Sequence, residues 1–361
     1  MSDKQKATLS LTLVQESCTA ALSALSESVH DPDYPTAAFS TLRTDFLSLL
    51  SILYAATTKV ALSLKPSAPH HKASLIPLKD LSNNVAALVH SIRLMRLQEG
   101  VTVLEEYVTV ARNVISAIRS LSQTLLQDDE ANPTEEYLIR TGEVHELIEN
   151  VRKSGGLSLN NRDAVRRLWA RELDSLLDGY AEIQEICKPS ESSDQDVEEE
   201  DAFDDGWEEL GLSSDQKLSS TEADRAAKVQ AIIKLVTLLQ KKVIKDILST
   251  DAAKRNNSTL DRLAPLSSRL LAASDDLISS MYAPQQTSNI KLSLEAFCDT
   301  TKEISGTVML SSDKTLEGHL ESLSISTDDK STKWFITCFD QIDKTATKIL
   351  ETLSNENETS S

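Results

Sequence analysis

Apolar residues that recur three or four positions apart run through almost the whole chain, and this spacing constrains the fold more than any other feature. One such stripe consists of Phe39, Leu42, Phe46, Leu49 and Leu53. Residues at this spacing share one face of an α-helix and have to be buried together. The alternation that marks strands is nearly absent. The chain is therefore expected to be all-α.

A second stripe follows a helix-start signal. Ser219 and Glu222 have the Ser-x-x-Glu spacing that satisfies two otherwise unpaired donors at a helix start. The apolar residues behind it are Val229, Ile232, Val236, Leu239 and Val243. Steps that alternate between three and four are typical of helices packed in bundles. Further helices are predicted at about 7–30, 72–96, 99–127, 134–152, 161–187, 258–282, 288–311 and 330–354.

The largest interruption of this pattern is acidic. Twelve acids and no basic residue lie between Lys188 and Lys217, and like charges at this density oppose compaction. Short connections between long helices make them antiparallel neighbours. The sequence thus predicts two bundles of long antiparallel helices, at 1–187 and 220–354, joined by a disordered acidic linker at 188–219. A disordered tail is predicted at 355–361. An early helix that packs across the linker remains compatible with the pattern.

Charge and composition narrow the partners. The 56 acids outnumber the 37 Lys and Arg residues, which gives a net charge of −19. A charge of this sign disfavours nucleic acid and anionic membranes and favours protein partners, basic ones in particular. The four cysteines lack paired spacing, and the first ten residues lack an apolar stretch behind a basic start, as expected for a reduced intracellular chain. Apolar runs are far shorter than the roughly 20 residues that a membrane span needs, so none is expected.

No catalytic signature is present. The nine glycines form neither a phosphate loop nor a nucleophile elbow, so we expect no catalytic residues, no cofactor and no small-molecule substrate. His145 opens a near match to a helical zinc motif, but Glu149 occupies the position of the second histidine. His70 and His71 lack nearby further ligands. We expect ordinary surface roles for all of them and no metal site.

The three tryptophans are of two kinds. Trp169 and Trp334 lie on apolar helical stripes, which favours a role in the core. Trp207 belongs to no stripe and lies among acids, and an exposed aromatic without a packing role points to function. Five residues of the acidic segment are therefore candidates for protein binding: Phe203, Asp204, Asp205, Trp207 and Leu210. Ser193 also fits an acid-directed phosphorylation site.

Two modes of binding remain open for these residues. The segment could dock in cis on the lysines at positions 228, 234, 241, 242 and 245. Alternatively, it could be a recognition segment for another protein, with apolar anchors and acids that steer association. In particular, Trp207 and Leu210 behind Asp204 and Asp205 resemble the Trp-x-x-Leu motif by which autophagy cargo and adaptors add a strand to Atg8-type proteins.

Three stretches resemble one family. Residues 160–187, from Asn-Asn-Arg-Asp to Glu-Ile-Cys, look like the helix that precedes the acidic region of cyclin-D-binding proteins, also described as Grap- and cyclin-D-interacting proteins. Residues 275–284 are similar to the Asp-Asp-Leu stretch with its Tyr-Pro helix end, although here Ala283 separates Tyr from Pro. Residues 334–343 resemble the last helix of the family, which opens on Trp and carries an Ile-Asp pair.

The resemblance implies a fold and a function. It implies two helical bundles akin to those of the talin and catenin rods, with no enzymatic activity. Members of the family bind D-type cyclins and helix-loop-helix transcription factors, restrain cell-cycle progression and transcription, and occur in nucleus and cytoplasm. The sequence carries no basic region beside a helix-loop-helix pattern, which agrees with regulating such factors by protein contact instead of by binding DNA.

Overall fold

A computed structural model of the chain describes residues 1–27, 37–96, 98–127, 135–153, 155–188, 218–249, 256–309 and 327–359. Within these residues the regular structure is helical and contains no strand, which confirms the all-α prediction. The helices are α1 (Asp3–Ser26), α2 (Phe39–Ser63), α3 (His71–Met95), α4 (Val101–Gln127), α5 (Glu136–Arg152), α6 (Asn161–Ile186), α7 (Ser220–Lys242), α8 (Asn257–Leu263), α9 (Leu266–Ser279), α10 (Thr287–Met309) and α11 (Thr327–Thr359). Met1–Val165 and Arg166–Ser361 form two compact units.

The first unit is a bundle in which the helices close a ring. α3 packs between α1 and α2, α4 packs between α1 and α5, and α5 returns to α2. The apolar stripes meet in one core, where Val14, Phe46, Leu81, Ile115 and Ile148 are fully buried. The predicted stripe of α2 is confirmed except at one position, because Leu50 is fully buried while Leu49 is half-buried.

The start of α4 depends on a residue far along the chain. The side-chain Oδ1 of Asn161 accepts a hydrogen bond of 3.0 Å from the Val103 N–H, and Asn161 is 1% exposed. This satisfies one of the donors that a helix start leaves unpaired. A Cβ at Gly100 would lie 2.0 Å from Asn161 Nδ2, so this contact requires glycine there. One turn further on, the Tyr107 hydroxyl donates to the Ser158 carbonyl at 2.9 Å.

In the second unit, α7 packs against α11 and α9, and α10 packs against α8, α9 and α11. The predicted stripe of α7 is confirmed, because all five of its apolar residues are fully buried. The predicted capping box is also present: the Ser219 hydroxyl accepts from the Glu222 N–H at 3.3 Å, and Glu222 Oε2 accepts from the Ser219 N–H at 2.8 Å. Glu222 further accepts from the Gln285 N–H, and these bonds hold the pKa of its carboxyl below the usual range.

Most of α6 belongs to the second unit. The Trp169 indole is fully buried, as predicted, and its Nε1 donates to the Leu263 carbonyl at 3.0 Å. Gln240 of α7 donates to the Trp169 carbonyl at 2.7 Å, and a Cβ at Gly179 would lie 3.1 Å from Ile278 Cδ1 of α9. The sequence placed this helix in an N-terminal bundle at 1–187, whereas the structure divides the chain within α6, after Val165.

Two details of the second unit differ from the predictions. The single helix expected at 258–282 is two helices, because Pro265 lacks an N–H and its ring clashes with the preceding turn. Trp334 was expected in the core but is half-buried, and Phe335 beside it is 2% exposed instead. Phe335, Cys338 and Ile342 step by three and four and so keep to one face, whereas a stripe that starts at Trp334 steps by four twice and drifts around the helix.

Among the residues that the structure describes, one helix is long and apolar enough to cross a membrane by length and composition alone. This helix is α2. Its most apolar face packs into the first unit, where Phe46, Leu50 and Leu53 are fully buried against neighbouring helices. Burial of this face in the bundle accounts for part of the apolar composition of α2.

Candidate protein-interaction surfaces

The candidates from the acidic segment lie outside the described residues. These are Phe203, Asp204, Asp205, Trp207, Leu210 and the phosphorylation candidate Ser193. The rest of the predicted linker also lies outside the described residues, apart from Lys188 at its start and residues 218–219 at its end. α11 continues to Thr359, past the helix end expected at 354. The surfaces described below therefore belong to the helices on either side.

A polar and aromatic seam joins α2 to α5 in the first unit. The His145 ring stacks on the Tyr54 ring with 3.9 Å between centroids and 19° between planes. His145 Nε2 lies 3.0 Å from Thr58 Oγ1, and the Tyr54 hydroxyl donates to Glu149 Oε1 at 3.0 Å. The Arg152 guanidinium lies 5.9 Å from the centroid of the Tyr54 ring, within the range of a cation–π contact.

The seam explains the near match to a zinc motif. His145 and Glu149 bind side chains of α2, so their spacing serves packing between two helices. His145 was expected on a solvated face, but it is half-buried because Tyr54 covers it. No group of three or more His, Cys, Asp or Glu side chains that could hold a metal ion occurs within the described part of the chain. Sequence reasoning overlooked Tyr54, although Tyr54 and Thr58 lie four positions apart on one helix face.

The seam predicts an alkaline pH dependence. The pKa of Tyr54 is raised above its ordinary value. The hydrogen bond to Glu149 is the main cause, and burial and the charge of Glu149 add to it. The neutral phenol is the form that the fold stabilises, so this stabilisation is complete below pH about 10 and is lost as the pH rises through the raised pKa. Glu149→Gln is expected to lower the Tyr54 pKa towards its ordinary value.

Absorbance of the tyrosinate band against pH measures this pKa, once the titration of Tyr54→Phe has been subtracted to isolate Tyr54. Glu146→Gln is the matched control, since Glu146 is exposed on the same helix. An equal shift in both variants would show that general charge, and not the hydrogen bond, sets the pKa.

The thiols of the chain lack the surroundings of nucleophiles. All four cysteines are free. Burial raises the pKa of Cys18 to about 12, against a smaller opposing effect of Arg119, and burial alone raises the pKa of Cys338 to about 11. Reactive thiols require the opposite, a lowered pKa in a partly exposed electropositive site.

A cavity of about 270 Å³ opens near the ends of α1, α2 and α4 in the first unit. Most of its lining residues are apolar, with Leu11, Leu64 and Leu125 among them, but Lys4 and His71 also line it and polar atoms make up more of its exposed surface than apolar atoms do. Its volume lies just below the range of about 300 to 1,000 Å³ that is usual for small-molecule pockets. The side chains that anchor protein interfaces, chiefly Trp, Tyr and Arg, combine apolar surface with a polar group, and such a side chain matches this mixed lining.

In the second unit, α7 widens into a π-helical turn at Val243–Ile247. Turns of this kind are frequent at functional sites. Asp246 in this turn pairs with Lys242 at 2.7 Å and accepts from the Ser331 hydroxyl of α11 at 2.6 Å. The Lys242 ammonium also lies 5.7 Å from the centroid of the Trp334 ring. Burial opposes ionisation of Asp246, but the bonds from Lys242 and Ser331 outweigh it and its pKa lies below the usual range.

Comparison with known proteins settles the family. A family model described as "Grap2 and cyclin-D-interacting, N-terminal" matches residues 45–188, and its counterpart for the C-terminal part matches residues 203–305. The chain belongs to the Grap2 and cyclin-D-interacting family. This confirms the resemblance found in the sequence, and it makes the chain a member of a family of binding proteins.

A curated relative agrees with this membership. The Cyclin-D1-binding protein 1 homolog of Xenopus laevis is 24% identical over 252 residues, which cover 68% of this chain and 73% of that protein. The N-terminal family match ends at residue 188, close to the end of α6, and the C-terminal match begins within the acidic segment. Both of the described units thus contain family sequence.

Proposed function

We propose that this member of the Grap2 and cyclin-D-interacting family is a non-catalytic regulator that binds protein partners through its helical bundles. D-type cyclins and helix-loop-helix transcription factors are the proposed partner classes, and modulation of cell-cycle progression or transcription is the proposed outcome. Nucleus and cytoplasm are the proposed locations. The observation that carries the proposal is the match of both family models, which together span most of the chain.

Several physical features support binding over catalysis. The exposed faces of the long helices, together with the cavity of the first unit and its apolar and polar lining residues, suit helix-in-groove recognition. The relative from Xenopus laevis is named for binding cyclin D1. The net charge of −19 favours encounter with basic proteins, and the basic regions of helix-loop-helix factors have the complementary sign. In addition, the buried thiols of Cys18 and Cys338 are poor nucleophiles.

A second candidate function rests on the acidic segment. Trp207 and Leu210, preceded by Asp204 and Asp205, have the spacing of a Trp-x-x-Leu motif. An Atg8-type partner would add the segment as a strand and bind the two apolar side chains in pockets. The protein would then act as an autophagy-linked adaptor or cargo.

Affinity purification from the native organism, followed by titration of each recovered protein against the purified full chain, tests both proposals. The intact chain is compared with Trp207→Ala plus Leu210→Ala. Val197→Ala plus Leu212→Ala is the matched control, because it removes two apolar residues of the same segment outside the Trp-x-x-Leu spacing. If the bundles bind the partner, cyclins or helix-loop-helix factors bind all three forms with equal affinity.

Two other results would change the conclusion. Recovery of an Atg8-type protein by the intact chain and the control, but not by the Trp207 and Leu210 variant, would favour the autophagy function. Direct titration that detects no binding of D-type cyclins or helix-loop-helix factors to any form would overturn the first proposal.

A further inference from the structure

An exposed lysine stripe runs along the outer face of α7 and its π-helical turn. Lys234, Leu238, Lys241 and Lys245 are three or four positions apart, so they share one face, and all four are exposed. Leu238 keeps 45% of its surface exposed. We call these four residues the lysine face. In a chain with a net charge of −19, three cations without an acid among them form a local field of the opposite sign.

The structure separates these lysines from their neighbours on α7. Lys228 pairs with Asp224 at 2.6 Å, and its side chain is only 25% exposed. Lys242 is engaged by Asp246 and by the Trp334 ring. By contrast, Lys234 and Lys241 form no ion pair with any acid among the described residues. Their charges therefore face solvent and repel one another.

The start of α11 lies beside the end of α7. The Ser331–Asp246 hydrogen bond and the Lys242–Trp334 contact bring the start of α11 against the end of α7. Lys330 and Lys333 lie within one turn of Trp334 and are exposed. The half-buried Trp334 ring and the exposed Leu238 supply apolar surface beside the cations. A surface of this composition suits an acidic peptide that also carries large apolar side chains.

The chain itself contains such a peptide. The segment 191–215 carries twelve acids with Phe203 and Trp207 between them, and it lies outside the described residues. A separate acidic protein would be repelled at long range by the net charge of −19. A tethered segment offsets this repulsion, because its effective concentration near its own chain is on the order of millimolar.

The tether is long enough to reach. Asp205 precedes Leu218 by 13 positions, which span up to about 43 Å when extended. Lys245, the most distant lysine of the face, follows Ser220 by 25 positions, or about 38 Å at 1.5 Å per residue. The acids around Asp205 can therefore reach every lysine of the lysine face.

We propose that the lysine face of α7 binds the acidic segment 191–215 of the same chain. Carboxylates of the segment pair with Lys234, Lys241 and Lys245, while Phe203 or Trp207 packs on Leu238 and the edge of Trp334. Individual exposed ion pairs are weak, so the binding depends on several acids acting together and weakens strongly with salt.

Zero-length carbodiimide cross-linking of the full chain tests this proposal, since it joins a lysine to a carboxylate only when the two are in contact. An equal mixture of unlabelled and ¹⁵N-labelled chains is cross-linked, and the linked peptides are identified by mass spectrometry. We expect unmixed isotope pairs that join Lys234, Lys241 or Lys245 to acids of the segment. These links should disappear in about 1 M salt, where the Debye length is about 3 Å.

A charge-removing variant gives a second readout. Lys241→Gln plus Lys245→Gln should reduce the remaining links at Lys234 by about three- to tenfold, because two of the three cations that hold the segment are lost. The matched control is Lys344→Gln plus Lys348→Gln, exposed lysines on α11 of the same unit, which should leave the Lys234 links unchanged. Circular dichroism confirms that both variants keep their helices.

Three results would overturn the proposal. Mixed isotope pairs would show that the segment binds a second copy of the chain. Links spread evenly over Lys344, Lys348 and the lysine face would show that the segment has no preferred surface. An absence of links between the segment and any lysine would show that the acids stay in solvent.

Discussion

Replacing Trp169 with alanine is expected to remove about 3 to 5 kcal/mol from the free energy of unfolding of the second unit. The indole is fully buried and holds the part of α6 after Val165 on the rest of the unit, and its Nε1 donates to the Leu263 carbonyl. The loss combines removed apolar contacts with a cavity that the surrounding helices cannot fill. Trp169→Phe retains a ring and should cost less, mainly the unpaired Leu263 carbonyl.

Hydrogen exchange of the full chain, followed by mass spectrometry, is the measurement of choice, because a chain of two units need not unfold in one step. Exchange should accelerate in peptides from α7, α8 and α9 and stay unchanged in α1 to α3. Arg171→Ala is the control on the same helix, since the Arg171 side chain is 69% exposed and its removal should change stability by less than about 0.5 kcal/mol. Acceleration limited to α1 to α5 would mean that α6 belongs to the first unit.

Tyr107→Ala should have a comparable effect on the first unit, again about 3 to 5 kcal/mol. The ring is fully buried and makes edge contacts with Phe39 at 5.6 Å and Phe46 at 5.1 Å between centroids. Its hydroxyl bonds the Ser158 carbonyl, so it also holds the segment before α6 over the start of α4. Tyr107→Phe keeps the ring contacts and should lose about 1 kcal/mol.

Exchange in peptides from α2 and α4 should report this loss while peptides from α9 and α10 keep their protection. Arg112→Ala removes an exposed side chain of the same helix and serves as the control. If Tyr107→Phe proved as damaging as Tyr107→Ala, the hydroxyl would dominate the contribution of this residue, contrary to the burial and ring geometry.

The role of Trp169 is only partly predictable from the sequence. Trp169 lies on an apolar stripe, and a stripe predicts burial because the pattern is local. The stripe does not say which unit will bury it, since any apolar partner satisfies the same residues. Assignment of α6 to the second unit depends on Leu263 and Gln240, which lie about 70 to 95 positions away and carry no mark in the sequence.

Other features divide in the same way. The capping box at Ser219 and Glu222 was predictable because its residues are three apart. The cap that Asn161 gives to α4 was not, because 58 positions separate donor and acceptor. Pro265 could have warned of the break between α8 and α9, since proline disfavours a continuous helix. The apolar run on both sides of it favoured one helix instead.

The candidate surfaces follow this pattern too. The five lysines of α7 and its π-helical turn are a basic set in the sequence, but only the structure separates Lys228 and Lys242, which are paired, from the exposed stripe. The seam between α2 and α5 is long-range, and its histidine resembles part of a metal motif when read locally. The protein-binding role of the acidic segment remains a prediction from composition and spacing.

The division within α6 also determines how the protein can be cut into fragments. A fragment that ends after Cys187, where the sequence invites a cut, would keep Trp169, Leu176 and Ile183, all fully buried in the intact chain, but would lose the helices that cover them. Such a fragment exposes the apolar face of α6, which can bind nonspecifically to a groove of another protein or to a second copy of the fragment. A two-hybrid screen with it would report partners of a core face, and these would be absent from screens with the intact chain.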